Sequence, residues 1–175
     1  MGGLGVCLML ALTAAGSPPS SRDVPDLSGW QNTRWGMDST DLNKLVDLGV
    51  TRLPKREQFN GLYADYWIPK LGVCGVPFEV FLQMSNADDR LAQVLVRYTG
   101  NPNFRNTSLL SCLETDLSAK YGPLETQGKN RPALAQAAWV FPTTTVELEE
   151  VYIKGAVYQV TIRYYPTPKT GGANR

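Results

Sequence analysis

The chain has 175 residues, 43% hydrophobic and 19% charged, with a formal net charge of +1. That length and balance suit one globular domain with its own core, and near-neutrality removes the strong field that would draw in nucleic acid or an anionic membrane. There is no histidine, so the usual general base near neutral pH and the commonest metal ligand are both missing.

Residues 1–16 read as a secretory signal peptide. Residues 4–12 form an apolar run of h-region length, and Ala14-Ala15-Gly16 offers small residues for cleavage before Ser17, although no Lys or Arg precedes the run. The run is well short of the ~20 residues a spanning helix needs, so no stable membrane anchor is expected. Cleavage would remove Cys7 and leave Cys74 and Cys112. An even pair in an oxidising compartment predicts one disulfide, which would contribute about 3–4 kcal/mol by restricting the unfolded chain. The competing reading is two buried free thiols. Two cysteines without histidine supply too few soft ligands for zinc. Residues 17–28, rich in Pro, Ser and Asp, read as a flexible leader, and residues 166–175 as a disordered tail. The domain is expected over residues 29–165.

A first helix is predicted after Trp35-Gly36-Met37. Asp38 can cap it, Asp41 suits the positive helix end, and Met37 and Leu42 occupy staple positions. Leu42, Leu45 and Val46 form its apolar face, and Gly49 stops it. Residues 52–56, a small basic cluster, read as a solvated loop. Residues 62–68 are strand-like and rich in aromatics. Residues 76–84 and 91–98 alternate around a polar turn and predict a hairpin, with Pro77 marking an edge or a bulge. A second helix is predicted over residues 105–121, capped by Asn103 and ended by Gly122-Pro123, with Leu110, Leu113, Leu117 and Tyr121 at helical spacing. Residues 137–141 and 144–152 then read as strands. A turn at Lys154-Gly155 leads to a return strand that places Tyr158, Val160, Ile162 and Tyr164 on one face. This order predicts an α+β two-layer sandwich: an antiparallel sheet with two helices packed on one face. It is also the order of a diverged helix-plus-meander repeat.

At Trp35-Gly36-Met37-Asp38 and its helix, the chain resembles small bacterial secreted envelope proteins that open with a Gly-Met-Ser/Thr helix. Two are the small lipoprotein of the outer-membrane barrel-assembly machine and the β-lactamase inhibitory proteins, the second also in helix-then-sheet order. Lys120-Tyr121-Gly122-Pro123 resembles the helix end of many uncharacterised proteobacterial secreted proteins. The lipid-bearing cysteine of the first relative and the second disulfide of the other have no counterpart here. What the resemblance implies is protein binding without catalysis.

No catalytic, cofactor or metal motif stands out. Glu147 and Glu149 share a strand face, and Asp88-Asp89 lies in a turn. A glycosidase needs two carboxylates across a cleft, and a calcium loop needs regularly spaced oxygens. Both sets read better as solvated surface. No G-x-S-x-G occurs, and neither cysteine lies in a C-x-x-C pair. Among the aromatics, Tyr63, Tyr66 and Trp67 form the best candidate partner contact. The function expected is therefore a secreted or periplasmic, non-enzymatic protein-interaction module with a partner in the envelope. The alternatives are a small-molecule or lipid carrier using a pocket between sheet and helices, and an envelope hydrolase using acidic residues.

Overall fold

Alternating apolar and polar residues dominate the chain from Thr51 onward, and they build one antiparallel sheet. The computed structural model describes residues 27–124, 126–127, 134–154 and 156–168. The predicted signal peptide, nearly all of the leader, most of the tail and Gly155 lie outside the described residues. The strands are β1 (Thr51–Phe59), β2 (Leu62–Val73), β3 (Val76–Ser85), β4 (Leu91–Tyr98), β5 (Thr126–Gln127), β6 (Leu134–Val140), β7 (Thr144–Ile153) and β8 (Val157–Pro166). Their spatial order is β1-β2-β3-β4-β8-β7-β6-β5. Two meanders thus meet along β4 and β8, where Val94 faces Tyr164 and Val96 faces Ile162. Among the described residues seven strands are of full length, and β5 covers two residues.

The predicted α+β sandwich with two helices on one face does not form, although a helical segment does precede each of the two meanders. The protein is a β-rich fold with one substantial helix, α2 (Leu109–Tyr121). The first predicted helix is only a single turn, α1 (Ser39–Leu42), followed by a 3-10 turn over Val46–Leu48. Its start is as expected: Asp38 Oδ1 accepts from the backbone N–H of Thr40 and Asp41, and Leu42 is fully buried. Beyond Leu42 the bonds become i to i+3, from Lys44 N to Asp41 O and from Leu45 N to Leu42 O. A short segment carrying Asn43, Val46 and Asp47 has too little propensity to extend an α-helix against its nucleation cost. Val46, expected on the apolar face, is 67% exposed. Gly49 ends the segment with φ +75°, as expected.

Helix α2 starts at Leu109 rather than near Arg105. The residues before it are held elsewhere: Asn106 Oδ1 accepts from Ser108 N and Oγ, and the Asn106 carbonyl accepts from the Tyr158 hydroxyl. Leu109, Leu113, Leu117 and Tyr121 form its buried stripe.

The basic segment 52–56 is part of an edge strand, not a loop. Pro54 lacks the N–H a ladder requires, and the β1–β2 register shifts between Arg52 and Glu57. Proline, charge and bulge together blunt the edge against pairing with another chain. The predicted hairpin of β3 and β4 forms, with Phe78 opposite Tyr98 and Val80 opposite Val96. At the tip of β2 and β3, Cys74 and Gly75 both have positive φ, +51° and +73°. This is the two-residue turn whose twist matches the flanking strands.

One face of the sheet carries the main core. Phe78, Val80, Leu82, Val94, Val96, Val146, Leu148, Val160 and Ile162 pack there under α2 and the segment around Trp30 and Leu42. All four residues expected to share a face of β8, Tyr158, Val160, Ile162 and Tyr164, are buried in it. The Cys74–Cys112 disulfide, with Cα atoms 6.1 Å apart, ties the β2–β3 turn to α2. The Trp139 indole donates to the Gly122 carbonyl at 2.9 Å and ties the other end of α2 to β6.

Candidate functional site: the open face of the sheet

The opposite face of the sheet is covered by no described element. Two adjacent rows of side chains cross it. In the first, the register runs Trp67, Phe81, Leu95, Arg163, Glu147 and Ala138. In the second it runs Glu79, Arg97, Thr161, Glu149 and Gln136. The first row is therefore aromatic and apolar over β2 to β4 and charged over β8 and β7, and the second is polar or charged throughout.

At the apolar end, Phe81 is buried with Ala64 and Leu95, and Leu53, Phe59 and Trp67 pack partly exposed around them. Phe59 meets Phe81 edge-on at 5.6 Å, and Trp67 lies 6.1 Å from the same ring. Each arginine is held by two carboxylates. Arg97 bonds Glu79 at 2.7 Å and Glu57 at 3.1 Å, and its guanidinium lies 4.5 Å from the Phe81 ring centre. Arg163 bonds Glu149 at 2.9 Å and Glu147 at 3.3 Å. Four carboxylates thus surround two guanidiniums, and these six groups carry net negative charge. Two buried donors on this face, Gln83 Nε2 and Arg163 Nε, have no hydrogen-bond partner among the described residues. Gln83 is 1% exposed, and its Oε1 already accepts from Gln93 at 2.5 Å. A buried donor without a partner is costly.

The structure divides the three predicted contact residues between the two faces. Tyr63 and Tyr66 are core residues, 5% and 3% exposed, and not a surface contact. Trp67 alone belongs to the open face. The cause is a register shift between Ala64 and Tyr66, which turns two tyrosines three residues apart to the same side. Asp65, in that shift, takes Arg56 in a two-point bond at 2.9 and 2.7 Å.

Glu147 and Glu149 do share a face as expected, and both bond Arg163 and Gln136. Asp89 accepts from the Tyr63 hydroxyl at 2.7 Å, and Asp88 accepts from Arg90 N. Sequence reasoning singled out neither Arg97 nor Arg163. The only available signal was strand alternation, which sets Glu79, Phe81 and Gln83 opposite the core residues of β3.

Burial, helped by the bond to Asp89, pushes the Tyr63 phenol up to about 12. Burial and the nearby Glu150 do the same for Tyr158. An unfolded tyrosine ionises near 10. The unfolded chain therefore loses these protons first, and stability should fall as pH rises from about 10 to about 12. Unfolding midpoints in urea should show that decline, and Tyr63→Phe and Tyr158→Phe should each flatten it. An unchanged slope in both variants would remove this assignment.

The fold and this face define a β-rich protein with a single antiparallel sheet, one face packed and the other presented. No family model, curated protein or solved structure matches the chain. No helix among the described residues is long and apolar enough to cross a membrane.

Proposed function

We propose that this protein is a secreted or periplasmic, non-catalytic binding module whose open sheet face docks a partner protein presenting a cationic strip. The observation that carries the reading is the face itself: an aromatic platform beside a row of carboxylates that outnumber their arginines. Trp67 and Phe59 supply the kind of rigid, partly exposed aromatic that anchors an interface. The excess carboxylates favour lysine or arginine on the partner. A sheet presented this way binds by complementarity and requires no reacting group.

The test is capture from envelope or secreted extract by the immobilised protein, in parallel with Glu57→Lys and Trp67→Ala. Glu57 is the most exposed of the four carboxylates, at 36% of its side chain. Each variant should weaken capture at least about tenfold with far-UV circular dichroism and cooperative unfolding retained, and rising salt should weaken the wild-type complex. Capture that survives both changes would move the interface off this face. Turnover of a substrate dependent on Glu147 or Glu149 would overturn the non-catalytic reading.

A further inference from the structure

We infer that the hollow between α2 and the packed face of the sheet is a binding site for a small, uncharged, single-ring molecule bearing one hydroxyl or carbonyl group. The cavity has a volume of about 230 Å³. Val96 and Ile162 of the sheet, Leu113 and Leu117 of α2, Val73 near the β2 tip and Trp30 form its apolar lining.

Volume decides the size of the occupant. A dry apolar cavity of about 150 Å³ already accepts benzene, whereas drug-sized ligands need about 300–1,000 Å³. The space here fits one substituted ring and is too small for a two-chain lipid.

Charge decides its class. Asp116 and Lys120 stand at the rim one helical turn apart on α2, with opposite sign. Such a rim offers no net field to an ion, so transfer of a charged ligand into the apolar interior would go uncompensated. Tyr164 lines it, and its hydroxyl oxygen accepts from the Tyr121 hydroxyl at 3.5 Å, at the limit of a hydrogen bond, and from Trp30, which leaves its own O–H free to donate. Burial holds its phenol well above the ordinary tyrosine range, so it stays a donor. It can serve one polar group on the ring.

The site shares no residue with the open face, so its test is independent of partner docking. p-Cresol is the probe, with octanoate as the charged comparison. Wild-type protein should bind p-cresol saturably, with a rise in unfolding temperature and shifts confined to the methyl signals of Val73, Val96, Leu113, Leu117 and Ile162. Octanoate should bind at least tenfold more weakly. Val73→Phe, which fills the hollow from its partly exposed rim, should weaken p-cresol binding at least tenfold without lowering the unfolding temperature. Should that variant fail to fold, the methyl shifts in the wild type decide. The inference is overturned by shifts that do not saturate or that spread to the open face, by octanoate binding as tightly as p-cresol, or by undiminished binding in a folded Val73→Phe protein.

Discussion

Replacement of Arg105 by alanine is expected to destabilise the protein by about 2 kcal/mol, below the ~3–5 kcal/mol for breaking a fully buried ion pair, because the Arg105 side chain is 41% exposed. Glu150 is 3% exposed on the packed side of β7. Arg105 reaches it from the loop before α2 through two bonds, 3.2 Å from Nε and 2.5 Å from Nη2. The guanidinium also lies 5.1 Å from the Tyr152 ring centre. Without it a carboxylate stays buried among Tyr152, Tyr158 and the sheet, and the loop loses its anchor. The loss should appear as a lower urea midpoint with an unchanged dependence on urea. Adding Glu150→Gln to Arg105→Ala should restore part of it, since the stranded charge is then gone. Arg105→Lys should restore little, because an ammonium cannot make the two-point bond. A loss below about 1 kcal/mol in Arg105→Ala would show that solvent reaches Glu150.

The second large effect is expected at the disulfide. Closing a loop with a sequence separation of 38 is worth about 4 kcal/mol through the entropy of the unfolded chain. Cys74→Ser with Cys112→Ser should therefore lower the unfolding free energy by about that amount. Wild-type protein in reductant should fall to the same value, and the oxidised native protein should contain no reactive thiol at either position. The effect should concentrate on α2. Its contact with the sheet rests on one stripe, Leu109, Leu113, Leu117 and Tyr121, and the bridge joins it to the β2–β3 turn. Amide exchange over α2 should rise more than exchange over β3 and β4. Equal stability with and without the bridge, or labelling of both cysteines in unreduced protein, would refute this account.

Local patterns were legible wherever the physics is local. Alternation between Val76 and Tyr98 predicts the β3–β4 hairpin, and Tyr158 to Tyr164 predicts the buried side of β8. Asp38 as a cap, Gly49 as a stop and the pairing of Cys74 with Cys112 are readable for the same reason. The departures also have local causes. Asn60-Gly61 between Phe59 and Leu62 is a hairpin signal that makes residues 51–59 a strand, although Pro54, Lys55 and Arg56 resemble a loop. Tyr63-Ala64-Asp65-Tyr66-Trp67 lacks a period of two because the register shifts inside it. That single shift sends Tyr63 and Tyr66 to the core and leaves Trp67 outside.

By itself the sequence determined the composition of the core, the strand-rich second half of each meander, and the cap and stops of the short turns. Each depends on residues close in the chain or on residue type alone. Only the tertiary structure decided how far the first helix runs, since packing had to supply what a four-residue turn cannot. It alone decided that β4 and β8 would pair, with Leu95 opposite Arg163, 68 residues further along the chain. That pairing assembles Phe81, Arg97, Arg163 and Glu149 into one surface. Cross-strand contacts of this kind depend on register and on closing long loops, and neither is encoded in any short stretch of residues.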